Sequence, residues 1–188
     1  MTITHQNLST LPDNLPQPID DGATNHLMGL EVPPILLQST DGQEVCLTEI
    51  SQSQRTVIYC YPMTGKPGDE LPKGWEEIPG ARGCTPQSCS FRDSHHELLS
   101  LNTVVFGLST QTTESQQEAT QRLHLPFLLL SDSQLVFANT LNLPTFEING
   151  VVFIKRLTII LYQGKIIKVF YPVFPPDKNA HEVITWLS

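Results

Sequence analysis

No apolar stretch of the 188-residue chain is long: runs such as Thr158 to Tyr162 fall far short of the roughly 20 residues that cross a bilayer as a helix, so no transmembrane segment is expected. Cations are scarce as well. The 11 Lys and Arg are scattered among 19 Asp and Glu, for a net charge of −8. Binding to nucleic-acid phosphates needs a basic stripe, so neither nucleic acid nor an anionic membrane surface is an expected partner. No Lys or Arg precedes Arg55, which leaves the amino-terminal segment without the marks of a secretion signal or an organelle transit peptide. A cytoplasmic location is therefore expected. Cysteine is sparse too, with four in all, and in a reducing compartment these read as buried, catalytic or metal-binding rather than as a disulfide framework.

What is present fits one globular domain with a substantial core. Residues 1–33 are rich in Pro, Asn, Asp, Ser and Thr without an apolar period, and predict an irregular or partly disordered arm ahead of a single domain over 34–188. "PILLQSTDGQEVCLTEI" predicts a hairpin turning at Asp41-Gly42, and "TVIYCYP" a buried strand stopped by Pro62. A long connection rich in Gly and Pro follows, of the kind that is usually functional or disordered. A helix is predicted over 85–100, capped by Thr85 with Pro86 in its first turn. Strand 103–109, helix 112–124, strand 127–131 and helix 133–142 alternate after it. Two adjoining strands, "GVVFIKRLTIILYQ" and "KIIKVFYP", and a last helix, "DKNAHEVITWL", complete the chain. The pattern predicts an α/β sandwich with a mixed sheet.

The segment "GARGCTPQSCSFRD" places Cys84 and Cys89 five residues apart. Cys84 stands at the predicted helix start, where free backbone N–H groups and the helix dipole favour an anion, and the thiolate is the reactive form of cysteine. Gly83 before it permits a tight backbone approach and leaves room beside the sulfur. Five helical residues rise about 7.5 Å, past the roughly 7 Å Cα separation that a disulfide tolerates, so any Cys84–Cys89 bond requires the first turns to unwind. Two other readings compete: a metal site made with His95 and His96, or two inert thiols. Cys46 and Cys60 lie in strand patterns among apolar neighbours and read as core packing.

Taken with the strand that ends at Tyr61-Pro62, "GCTPQSCSFRD" resembles the peroxiredoxins, and most closely the peroxiredoxin Q or bacterioferritin-comigratory group. The resemblance runs on through "VVFGLSTQTTESQQEATQRLHLPFLLLSD" and the carboxyl-terminal strands, over roughly residues 33 to 188. It implies a thioredoxin-like sandwich whose mixed central sheet is flanked by helices, with an amino-terminal β-hairpin extension. It implies a thiol peroxidase in which Cys84 attacks a hydroperoxide and becomes a sulfenic acid. Cys89 resolves that acid as an intramolecular disulfide, and thioredoxin or a similar thiol reductant recycles it. Neither metal nor organic cofactor is implied, and a monomer suffices.

Arg156 matches the family's active-site arginine. Independently, Lys155 and Arg156 interrupt an apolar strand, so one of them is expected to face inward and need an anion; a structural carboxylate such as Asp93 is the rival partner to the thiolate. Arg92 and Asp93 match the motif too, and read as exposed helix charges. The family pattern places Pro and Thr seven and three residues before the reactive cysteine, whereas here Ala81 occupies the second position. Pro62 and Thr64, about 20 residues upstream, are assigned as shield and hydroxyl donor, as though an insertion had split the motif. Trp75 within it is expected to anchor the loop. A thiol–disulfide oxidoreductase or redox sensor on the same fold, and a Cys/His metal-binding module, are the alternative functions.

Overall fold

The computed structural model describes residues 7–188. In "RTVIYC" the side chains alternate faces with period two. Val57, Tyr59 and then Tyr61 enter one apolar cluster, while Ile58 and Cys60 enter another on the opposite face. This strand, β3 (Arg55–Cys60), is buried on both sides and lies in the interior of a seven-stranded sheet. Before it come β1 (Leu36–Ser39) and β2 (Glu44–Cys46), the hairpin expected around Asp41-Gly42, and a single helical turn, α1 (Leu47–Ile50). β4 (Thr103–Ser109) and β5 (Leu129–Ser131) run parallel to β3. On its other side β8 (Leu157–Tyr162) is antiparallel to β3, and β9 (Lys165–Phe170) antiparallel to β8. The order β2-β1-β5-β4-β3-β8-β9, with β1 antiparallel to β5, makes the sheet mixed, as expected.

Helices cover both faces. On one side α2 (Cys84–Asp93), α3 (His95–Ser100), α4 (Thr113–Leu123) and α6 (Asn179–Leu187) pack Phe91, Leu98, Leu123 and Val183 onto the sheet. On the other, α1 and α5 (Val136–Thr140) bring Leu47 and Phe137, and the amino-terminal segment adds Leu27. That segment is turn-rich, yet it is held. Gly29 N–H donates to Ile166 O, Ile166 N–H to Leu30 O and Val32 N–H to Gly164 O, laying it along β9.

The structure corrects three expectations. The helix predicted over 85–100 begins at Cys84, because Gly83 at φ 105° turns the chain directly into it, and Thr85 is not its cap. It is broken at Ser94, after Asp93; both residue types are weak in helix interiors. The expected single strand over 150–163 is two: β7 (Val151–Ile154) pairs in a separate hairpin with β6 (Thr145–Ile148), a strand not expected from the sequence, and β8 starts anew in the main sheet. Lys155 and Arg156 occupy the passage between them, where a cation can leave the ladder.

Candidate active site

Cys84 is the first residue of α2, and its sulfur points inward; the residue is 3% exposed. Arg156, also 3% exposed, arrives from the passage between β7 and β8 and donates from Nη2 to Cys84 Sγ at 3.0 Å. The rest of the guanidinium is spent on the loop that leads to the cysteine. Nε donates to Gly80 O at 3.2 Å, and Nη2 to Ala81 O at 3.1 Å and Arg82 O at 3.3 Å. Nη1 donates to Gln87 Oε1, one turn along α2 from the cysteine. Among the described residues no carboxylate lies within ion-pair distance of Arg156, and Asp93, the rival partner, is bound to Arg92 at 2.8 Å. A buried cation without a counter-ion is costly. Of its five acceptors, only the sulfur can take up a negative charge.

Behind this pair stands a buried polar chain. Gln87 Nε2 donates to Asn179 Oδ1 at 3.0 Å, and Thr158 Oγ1 donates to the same oxygen at 2.7 Å, joining α2, α6 and β8. Gln87, Thr158 and Asn179 are all fully buried, and each fixes the orientation of the next. The sulfur itself reaches back to Ala81 O at 3.7 Å. Tyr59 stacks on Phe91 at 4.6 Å and donates to Ser88 Oγ at 3.1 Å, so the underside of α2 rests on a rigid aromatic floor.

Cys89 lies further along the same helix, half-buried, and both thiols are free. Burial raises its thiol above the ordinary range, with the Arg92 cation opposing. Cys46 and Cys60 are buried as expected, and burial together with the charge of Asp132 raises the Cys60 thiol far out of reach of neutral pH. Lys155 turns outward to Asp21, 3.1 Å away. His124 takes the left-handed cap position after α4.

Pro62 is buried just past β3. The backbone of Thr64 is clamped by Gln111, which accepts from its N–H at 2.8 Å and donates to its carbonyl at 3.2 Å. Its hydroxyl is buried and, among the described residues, has no hydrogen-bond partner, the sulfur included. Trp75 is 3% exposed and packs on Phe153 at 5.1 Å and Phe146 at 5.9 Å, anchoring the long connection to the β6–β7 hairpin. It also lines the small cavity in front of Cys84, so anchor and wall are one residue.

Sequence reasoning missed Gln87, Asn179 and Arg82. Arg82, 7% exposed, donates to Asn7 O at 2.9 Å and stands 3.5 Å from Glu76. Among the described residues no group of three or more His, Cys, Asp or Glu side chains is placed to hold a metal ion. Nor is any described helix long and apolar enough to cross a membrane.

Comparison with known proteins agrees with this geometry. The Redoxin family model matches residues 27–184. Chloroplastic peroxiredoxin Q of Sedum lineare is 28% identical over 160 residues, covering 85% of this chain and 77% of that protein. Peroxiredoxin Bcp of Bacillus subtilis is 27% identical over 162 residues, covering 84% of this chain and 93% of that one. The crystal structure of peroxidoxin BcpB from Mycobacterium tuberculosis superposes with a TM-score of 0.70 at 23% identity, over 86% of this chain and 96% of that one. With a cysteine at the head of a helix, a buried arginine on its sulfur and a second cysteine five residues along, the chain is similar to the peroxiredoxin Q and Bcp proteins, and it belongs to the Redoxin family.

Proposed function

We propose that the protein is a thiol-dependent peroxidase that reduces hydrogen peroxide and organic hydroperoxides at Cys84. The observation that carries this reading is the Arg156 guanidinium, buried with no carboxylate and 3.0 Å from Cys84 Sγ, which makes the sulfur the one place where its charge can be balanced. The sulfur attacks one oxygen of the peroxide; the O–O bond breaks, and its electron pair leaves on the other oxygen, which takes a proton to become water or an alcohol. Cys84 is left as the sulfenic acid. Arg156 and the free N–H groups of the first turn of α2 are the donors for the developing negative charge.

Cys89 then attacks the sulfenic sulfur, a disulfide forms and water departs. Within the intact helix the two cysteines are too far apart, so the first turns of α2 unwind before the bond can close. An external dithiol of the thioredoxin type reduces the disulfide and is itself oxidised. For Thr64 as donor, the supporting observation is a buried hydroxyl with no partner among the described residues, between Met63 and Gly65, which line the cavity at Cys84. Pro62 shields the same side. Because resolution is internal to one chain, we assign a monomer, with residues 34–188 as the domain and the described part of the preceding arm packed onto it; the cytoplasm is its proposed location.

Mass spectrometry after one equivalent of hydrogen peroxide tests the scheme. Cys84 and Cys89 should become joined with loss of two hydrogens, Cys89→Ser should stop at an oxidised Cys84, and Cys84→Ser should be inert. Full peroxidase activity in Cys84→Ser would reject the assignment. Disulfide exchange far faster than peroxide turnover would favour the redox-sensor alternative.

A further inference from the structure

The sulfur of Cys84 faces a cavity of only about 10 Å³, room for about one water-sized sphere. On its far side opens a groove of about 610 Å³. Leu8, Leu71 and Trp75 line both spaces and form the partition between them. Leu8 belongs to the amino-terminal arm and the other two to the inserted connection, so the wall is built from the two segments by which this chain extends or departs from the family motif.

The partition is firmly seated. Trp75 is packed on Phe146 and Phe153. A methyl group at Gly65 would lie 3.1 Å from Leu71 Cδ2 and 3.2 Å from Leu8 Cδ1, which shows how closely both leucines press on that backbone. Arg82 ties the two segments together, through Asn7 O at 2.9 Å on one and Glu76 at 3.5 Å on the other. The groove outside is edged by Asp69, Glu70, Glu76 and Glu77 against Lys66 and Lys73, a net negative rim that repels anions.

We infer that this site is a size filter for hydroperoxides, and that Leu8, Leu71 and Trp75 are its specificity-determining residues. The inference rests on the peroxidase reading and narrows it. Hydrogen peroxide, two oxygens and no carbon, needs little more than the space already there. A cumyl group entering from this groove must push the partition aside, and one entering from the neighbouring groove over Met63 and Gly65 still meets Leu71. A fatty-acid hydroperoxide must also pass the acidic rim with its carboxylate.

The test is kcat/KM for hydrogen peroxide, tert-butyl hydroperoxide and cumene hydroperoxide, measured on the full chain with a dithiol reductant. The same three substrates are then run on Leu8→Ala and on Leu8→Ala/Leu71→Ala. Hydrogen peroxide should be preferred over cumene hydroperoxide by about a hundredfold in the unaltered protein, the scale on which a packed pocket discriminates by size. The ratio should fall at least about tenfold in the double variant, and in the same direction in the single one. Equal turnover of the three peroxides by the unaltered protein, or a ratio unmoved in both variants, would overturn the filter while leaving the peroxidase standing. No turnover of any peroxide would overturn the peroxidase reading and the filter with it.

Discussion

At the scale of single residues the site turns on one unshared charge. Arg156 spends its planar fork on three consecutive carbonyls, a glutamine and the sulfur, a set that an ammonium cannot reproduce. Arg156→Lys should therefore lower kcat/KM for hydrogen peroxide by about a hundredfold or more, the usual loss when an oriented donor to the reacting atoms is removed. Steady-state kinetics checks this, and a near-native rate would show that the guanidinium is structural only. Part of this was readable in advance: two adjacent cations interrupting an apolar run mark a buried arginine whatever its partner. Gln87 and Asn179 were not readable, because a polar residue on a helix looks solvated until the helix is docked, and both are fully buried by α2 meeting α6. Arg82 was hidden for the same reason, in a loop whose path composition does not reveal.

At the scale of elements, α2 must be stable enough to hold Cys84 and labile enough to release it. Its ten residues end at Asp93 and Ser94 separates it from α3, so unwinding its head need not disturb α3. Gly83 carries the entry. At φ 105° it lies where side chains are strained, and an added methyl would collide with Pro176 Cγ and sit 2.8 Å from Leu11 Cδ2. Gly83→Ala should cost about 1–2 kcal/mol for the backbone alone, more with the collision, and should slow peroxide reduction; urea unfolding and peroxide kinetics together measure it. The second cysteine supplies a pH signature. Burial raises the Cys89 thiol, so it remains protonated near neutrality while the helix is wound. Disulfide formation after a peroxide pulse should accelerate from pH 7 to pH 9, about the range in which an ordinary thiol ionises, without levelling off. Acid quenching and mass spectrometry at each pH would show it, and a rate flat across that window would mean that Cys89 ionises earlier. The alternation from β3 to β5 and the final β8–β9 pair were legible because apolar period and turn residues agree there; β6 and the division at Lys155 and Arg156 were not, since β7 and β8 are both apolar and only tertiary pairing separates them.

At the scale of the whole molecule, the amino-terminal arm is part of the working structure. Leu27 is fully buried, and Asp21 gathers Lys155 Nζ at 3.1 Å, Tyr171 OH at 2.9 Å and the Ala23 N–H at 3.1 Å. Those bonds, led by Lys155, hold its carboxyl at about 2, below the ordinary 3.8. A group depressed in the fold stabilises it fully above its unfolded value and ceases to do so as pH falls through the folded one. The arm's tie should thus weaken between about pH 4 and about pH 2, seen as lost hydrogen-exchange protection at Gly29 and Val32. Asp21→Asn should abolish the step, and an unchanged profile in that variant would assign the loosening to another group. Composition made this segment look loose, because its contacts are few, widely spaced and made to the far end of the chain. One further consequence lies in the wall over the sulfur. Of the chain's two tryptophans, Trp75 is 3% exposed there and Trp186 is 40% exposed on the last helix. Their emission should separate into a short-wavelength component from the wall over the sulfur and a long-wavelength one from the last helix, so opening of the site should be read as a change in the blue component, without any added dye.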